Sequence, residues 1–178
     1  MTNTPTQFRN VKSGDLLFFS GRRVFSRVIQ LWTRSRWSHV GMAVRFDQDL
    51  YVLESLECVG VRLVPLSVWL QWPGDIAIGK TCLEQHDRDR LVRIGLQHLG
   101  ERYASPRQFL RSFSIVWSRL SRHWRLAADT SSSRWLCSEF VAYLLRSVGY
   151  LLPDEPARIS PARLAMCRHF MVLKEVAR

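Results

Sequence analysis

Between Ser38 and Leu66 three runs of strand-forming residues follow one another with very little between them: SHVGMAVRF (38–46), YVLESLE (51–57) and GVRLVPL (60–66). Asp47-Gln48-Asp49 separates the first two and is a turn-forming stretch. Gaps this short predict an antiparallel meander. LLFFS (16–20), after the Gly14-Asp15 turn, reads as a short buried strand. DIAIGK (75–80) and HFMVLKEV (169–176) read as further strands.

Helical periodicity occupies the remainder. Phe25, Val28, Ile29 and Trp32 keep helical spacing between Arg22 and Arg34. Residues 87–99 carry Leu91, Ile94 and Leu99 near one face. Residues 106–124 carry an aromatic-rich stripe of Phe109, Phe113, Val116, Trp117, Leu120 and Trp124. After the loop AADTSSSR (127–134), a last helix is predicted from about Trp135 to Val148, closed by Gly149 as a C-cap. The fold class is therefore α+β: an antiparallel sheet packed against helices. A chain of 178 residues is expected to form one domain over 1–178, with residues 1–12 as a flexible lead-in.

Composition narrows the function. The four cysteines form no CxxC pair and the five histidines no H-x3–5-H pair. A disulfide framework, a metal site and a cofactor are not expected. The N-terminus MTNTPTQFRN is polar, and no run approaches the ~20 apolar residues that a spanning helix needs. A cytoplasmic location is expected, with peripheral membrane association left open. The formal charge is +11, with 23 Arg among the 26 basic residues. Such a charge suits membrane headgroups, nucleic acid or an anionic substrate, and it also follows from an Arg-rich background composition. No helix-turn-helix, RRM or zinc-finger pattern accompanies it, so no specific nucleic acid is expected.

One residue stands apart. In SRWLCSEFVAYLLRSVG (133–149) Cys137 falls about where the last helix begins. A helix N-terminus lowers the cost of a thiolate and offers free N–H groups to an oxyanion. Cys137 is thus either a nucleophile or a small buried hydrophobe. A nucleophile needs an oriented base. His39 begins the strand SHVGMAV. A two-residue loop at Asp47-Gln48 pairs Phe46 with Asp49, which sets Glu54 opposite Gly41 and on the same face as His39. Such a diagonal neighbour lies roughly 7–8 Å away between backbones, within reach of a glutamate. A one-residue slip turns Glu54 to the other face and brings Glu57 across from His39.

The ordered series GDLLFF, SHVGMAV, YVLES, GVRLVPL, GERYA and WLCSEFVAYLL resembles the circularly permuted papain-like amidases of the YaeF/YiiX type. These are related to NlpC-type peptidases and to lecithin:retinol acyltransferase. The permuted order places His and Glu before Cys. The resemblance implies a permuted papain-like (NlpC-like) fold. It implies Cys137 as nucleophile, His39 as general base and Glu54 as orienting residue, with Tyr103 lining the substrate site. Backbone N–H groups of Cys137 and Ser138 would hold the oxyanion.

The implied activity is a cysteine hydrolase acting on an amide through a thioester. Its substrate would be a peptide, an isopeptide such as a peptidoglycan fragment, or an N-acyl amide. Two alternatives stand beside it. One is a lipid acyltransferase or thioesterase with the same nucleophile, favoured by seven tryptophans and the basic segments 22–36 and 106–126. The other is a basic binding module. Ala104 stands where the family often has an acidic residue. Segment 106–126, with five Arg and no acid, is read as core helix, as lid or as a contact with an anionic membrane surface.

Overall fold

The computed structural model describes residues 5–21, 24–103, 134–156, 159–167 and 171–176. The predicted helix at 106–124 and the adjoining loop as far as residue 133 lie outside the described residues.

Six strands form one antiparallel sheet. They are β1 (Leu16–Phe19), β2 (His39–Phe46), β3 (Asp49–Leu56), β4 (Gly60–Pro65), β5 (Ile76–Thr81) and β8 (Met171–Val176), in the order β4-β3-β2-β1-β5-β8. The 38–66 meander is present as expected. Phe46 pairs with Asp49 across the Asp47-Gln48 turn, where Asp47 takes a left-handed φ of 50°. Aspartate tolerates that conformation better than most side chains. Leu56 pairs with Gly60 across the next turn, which puts Glu54 opposite Arg62.

The sheet is covered on both faces, so β1 is apolar on both sides and reads as an unbroken LLFF run. Leu16, Phe18, Val40, Met42, Val44 and Leu53 form one core cluster with Phe140, Leu144 and Leu145. Leu17, Phe19, Ala43, Leu50, Val52 and Ile78 form another with Phe8, Val11 and Trp69.

Helices α1 (Val24–Thr33) and α3 (Gln85–Gln97) match the predicted segments to within two residues. Helix α4 (Cys137–Ser147) starts two residues later than expected. Arg134–Trp135 is instead a short strand, β7, running parallel to β6 (Arg102–Tyr103). Trp135 is held extended because Ser55 Oγ donates to its carbonyl (2.7 Å) and its indole N–H donates to Glu101. Two short helices had not been foreseen: α2 (Leu66–Leu70) and α5 (Pro161–Ala165). The second carries a readable signal. Ser160 caps it by accepting from Arg163 N–H, and Pro161 occupies its first turn.

A buried ion pair ties α3 to the sheet. Asp15 accepts from Lys12 N–H, Thr81 N–H and Arg88 Nη1, while Arg88 also donates to the Leu83, Ser13 and Thr81 carbonyls. Glycine permits one further close approach. A Cβ on Gly60 would lie 2.1 Å from Glu101 O, where the 100–101 chain hydrogen-bonds to Val61.

Candidate active site

His39 is the first residue of β2 and faces Phe19 of β1. Its position is fixed from behind, since Ser38 N–H donates to Phe19 O (3.0 Å) and Ser38 Oγ accepts from Gly21 N–H (3.0 Å). The imidazole hydrogen-bonds through Nε2 to Glu54 Oε2 at 2.7 Å. The expected diagonal pairing is therefore realised. Gly41 makes room for it, because a Cβ there would sit 3.3 Å from Glu54 Cβ and 2.5 Å from Val52 Cγ1. Glu57 lies in the β3–β4 turn, away from the register position across from His39.

Glu54 is fully buried and the His39 side chain is 13% exposed. An aromatic wall covers the imidazole. Trp69 of α2 stacks on it with centroids 5.1 Å apart, and Phe19 stacks on Trp69 at 4.1 Å. Such a wall keeps water from competing for the His39–Glu54 bond.

Cys137, 6% exposed, is the first residue of α4. Its thiol meets the imidazole. With Nε2 committed to Glu54, Nδ1 is the ring nitrogen left for a further partner. Burial disfavours the charged imidazole. The negative charge and hydrogen bond of Cys137, followed by those of Glu54, outweigh it and push the His39 pKa from 6.5 up to about 10.

The start of α4 is polar and ordered. Leu136 N–H donates to the Glu139 carboxylate (3.3 Å), and Phe140 N–H closes the first turn on Leu136 O (2.9 Å). Burial raises the Glu139 pKa, and the Leu136 N–H opposes that rise. The first N–H groups of a helix, here those of Cys137 and Ser138, have no intrahelical acceptor. The Ser138 hydroxyl is occupied elsewhere, donating to Ile159 O at 2.7 Å. Tyr103 pairs through its backbone strand with Trp135, two residues before Cys137.

Two neighbours were missed at the sequence level. Arg62 places Nε 2.9 Å and Nη2 2.8 Å from Glu54 Oε1. Counting the register on through the second hairpin reveals it. Trp69 sits on the unforeseen helix α2, and no periodicity announces it.

A helix-borne cysteine that follows a strand-borne histidine in the chain defines a permuted papain-like fold. The family model described as permuted papain-like amidase enzyme, YaeF/YiiX, C92 family, matches residues 10–155, and the chain belongs to that family. A solved structure described as the metalloprotein YiiX from Escherichia coli O157:H7 is similar in fold. Its TM-score is 0.58 at 22% identity, over 94% of this chain and 97% of that one. No curated protein matches the sequence. Among the described residues of this chain, no group of three or more His, Cys, Asp or Glu could hold a metal ion. No helix among them is long and apolar enough to cross a membrane.

Proposed function

We propose that the protein is a cysteine hydrolase that cleaves an amide bond through a thioester, with Cys137 as nucleophile, His39 as its proton partner and Glu54 as the orienting group. The observation that carries this reading is the buried Glu54 carboxylate hydrogen-bonded to His39 Nε2 at 2.7 Å, in an imidazole whose pKa the charges of Cys137 and Glu54 raise to about 10. At neutral pH His39 holds a proton, and the attacking form of the sulfur is the thiolate.

The thiolate adds to the amide carbonyl, and the developing oxyanion is met by the Cys137 and Ser138 N–H groups. His39 Nδ1–H then protonates the leaving amine as the C–N bond breaks. In deacylation a water gives its proton to His39 and adds to the thioester carbonyl. Collapse of that adduct releases the carboxylic acid and returns the thiolate and imidazolium. The amide belongs to a peptide, an isopeptide such as a peptidoglycan fragment, or an N-acyl amide. An acyl lipid donor would use the same intermediate.

The test is iodoacetamide labelling at neutral pH with each cysteine mapped. Cys58 and Cys82 are exposed, whereas Cys137 and Cys167 are buried. Fastest labelling at Cys137 would mean that activation outweighs access. Cys137→Ser and His39→Ala are expected to abolish turnover while the fold persists. Labelling ordered by exposure alone, with His39→Ala leaving Cys137 unaffected, overturns the reading in favour of a non-enzymatic module. The intact mass of an acyl adduct from cell extract would identify the donor as amide or lipid.

A further inference from the structure

The carboxylate of Glu54 has no solvent exposure and carries one partner type on each oxygen. His39 takes Oε2, while two N–H groups of Arg62, Nε and Nη2, converge on Oε1. The two residues face each other directly in the β3–β4 register, so the pairing is built into the hairpin. A carboxylate held at only one oxygen is free to rotate about its last torsion. The rigid guanidinium removes that freedom, which a point charge on a flexible stem does less well.

We propose that Arg62 is a positioning residue for the reaction, fixing the rotation of Glu54 so that Glu54 in turn holds His39 toward Cys137. Arg62 extends the line of interacting groups to four: Arg62, Glu54, His39 and Cys137. Its side chain is 28% exposed, so the far end of that line touches solvent while Glu54 does not. The proposal rests on the catalytic reading of Cys137, His39 and Glu54, and its test separates the two.

The experiment follows iodoacetamide alkylation of Cys137 by intact mass and peptide mapping between about pH 5 and pH 9. It compares the wild type with Arg62→Gln, Arg62→Lys, Glu54→Gln and His39→Ala, each checked for a cooperative thermal melt. Arg62→Gln is expected to displace the midpoint of the alkylation profile upward by about one pH unit or more. Arg62→Lys, which keeps the charge, recovers at least half of that displacement. The double variant Glu54→Gln/Arg62→Gln removes both charges of the pair and serves even where Arg62→Gln alone fails to fold. Its profile is expected to coincide with that of Glu54→Gln, because Arg62 acts through Glu54.

An Arg62→Gln profile superimposed on the wild type overturns the proposal, as does a double variant displaced beyond Glu54→Gln. If His39→Ala shifts the profile and Arg62→Gln does not, only the role of Arg62 fails. If His39→Ala leaves the profile unmoved, the catalytic reading itself fails.

Discussion

His39 carries the most perturbed charge described in the site, and its environment sets a pH window. Its pKa is raised from 6.5 to about 10, so the imidazolium persists below that value and is lost above it. Amide acylation needs that proton for the leaving amine. The rate is therefore expected to hold through neutral pH and to fall as pH rises through about 10. Glu54→Gln removes one of the interactions that hold the proton, so the fall should come at lower pH. The matching measurement is kcat/KM against pH for both proteins, and a limb at the same pH in each would contradict this account. The same pair depends on an absence. Gly41→Ala would press its Cβ toward Val52 Cγ1 and Glu54 Cβ. Overpacking of this kind costs about 1–3 kcal/mol. A lowered melting temperature is expected together with reduced turnover, since the displaced group is the orienting carboxylate.

At the scale of elements, helix α4 does two jobs from adjacent residues. Cys137 faces the imidazole, while the Ser138 hydroxyl anchors the helix to the chain entering α5. Ser138→Ala leaves the Ile159 carbonyl without that donor and is expected to cost about 1–3 kcal/mol of stability. Its backbone N–H survives, so the folded variant should keep most of its turnover. Paired melts and single-turnover kinetics check this. A large loss of rate without loss of stability would move Ser138's hydroxyl into the chemistry. The β2–β3 hairpin was legible for a local reason. A two-residue turn leaves no slack, so the pairing of Phe46 with Asp49 fixes every later pair, Glu54 included. The start of α4 was less legible. Whether Trp135 is helical or extended depends on Tyr103, Ser55 and Glu101, which are distant in sequence.

At the scale of the molecule, the Asp15–Arg88 pair joins residues 73 apart and closes α3 onto the sheet. Arg88→Met strips Asp15 of a cationic partner in a buried place. Breaking an isolated buried pair from one side costs about 3–5 kcal/mol; Lys80 Nζ, 3.3 Å from Asp15 Oδ2, stays and reduces that loss. A fall in melting temperature is expected, and guanidinium titration measures it. Restoring neutrality with Asp15→Asn in the same chain should recover part of the loss.

Sequence alone determined what is local or counted along a strand: the meander, the cysteine near a helix start, and the diagonal placing of His39 and Glu54. These follow from backbone periodicity and from a turn too short to slip. Tertiary structure alone decided what depends on separate parts of the chain converging: the approach of Cys137 to His39, the stacking of Trp69 on that ring, and the neighbouring charges that raise its pKa against the effect of burial. Desolvation and charge coupling depend on distance in space, and the 97 positions between His39 and Cys137 are spanned by packing that no local pattern encodes.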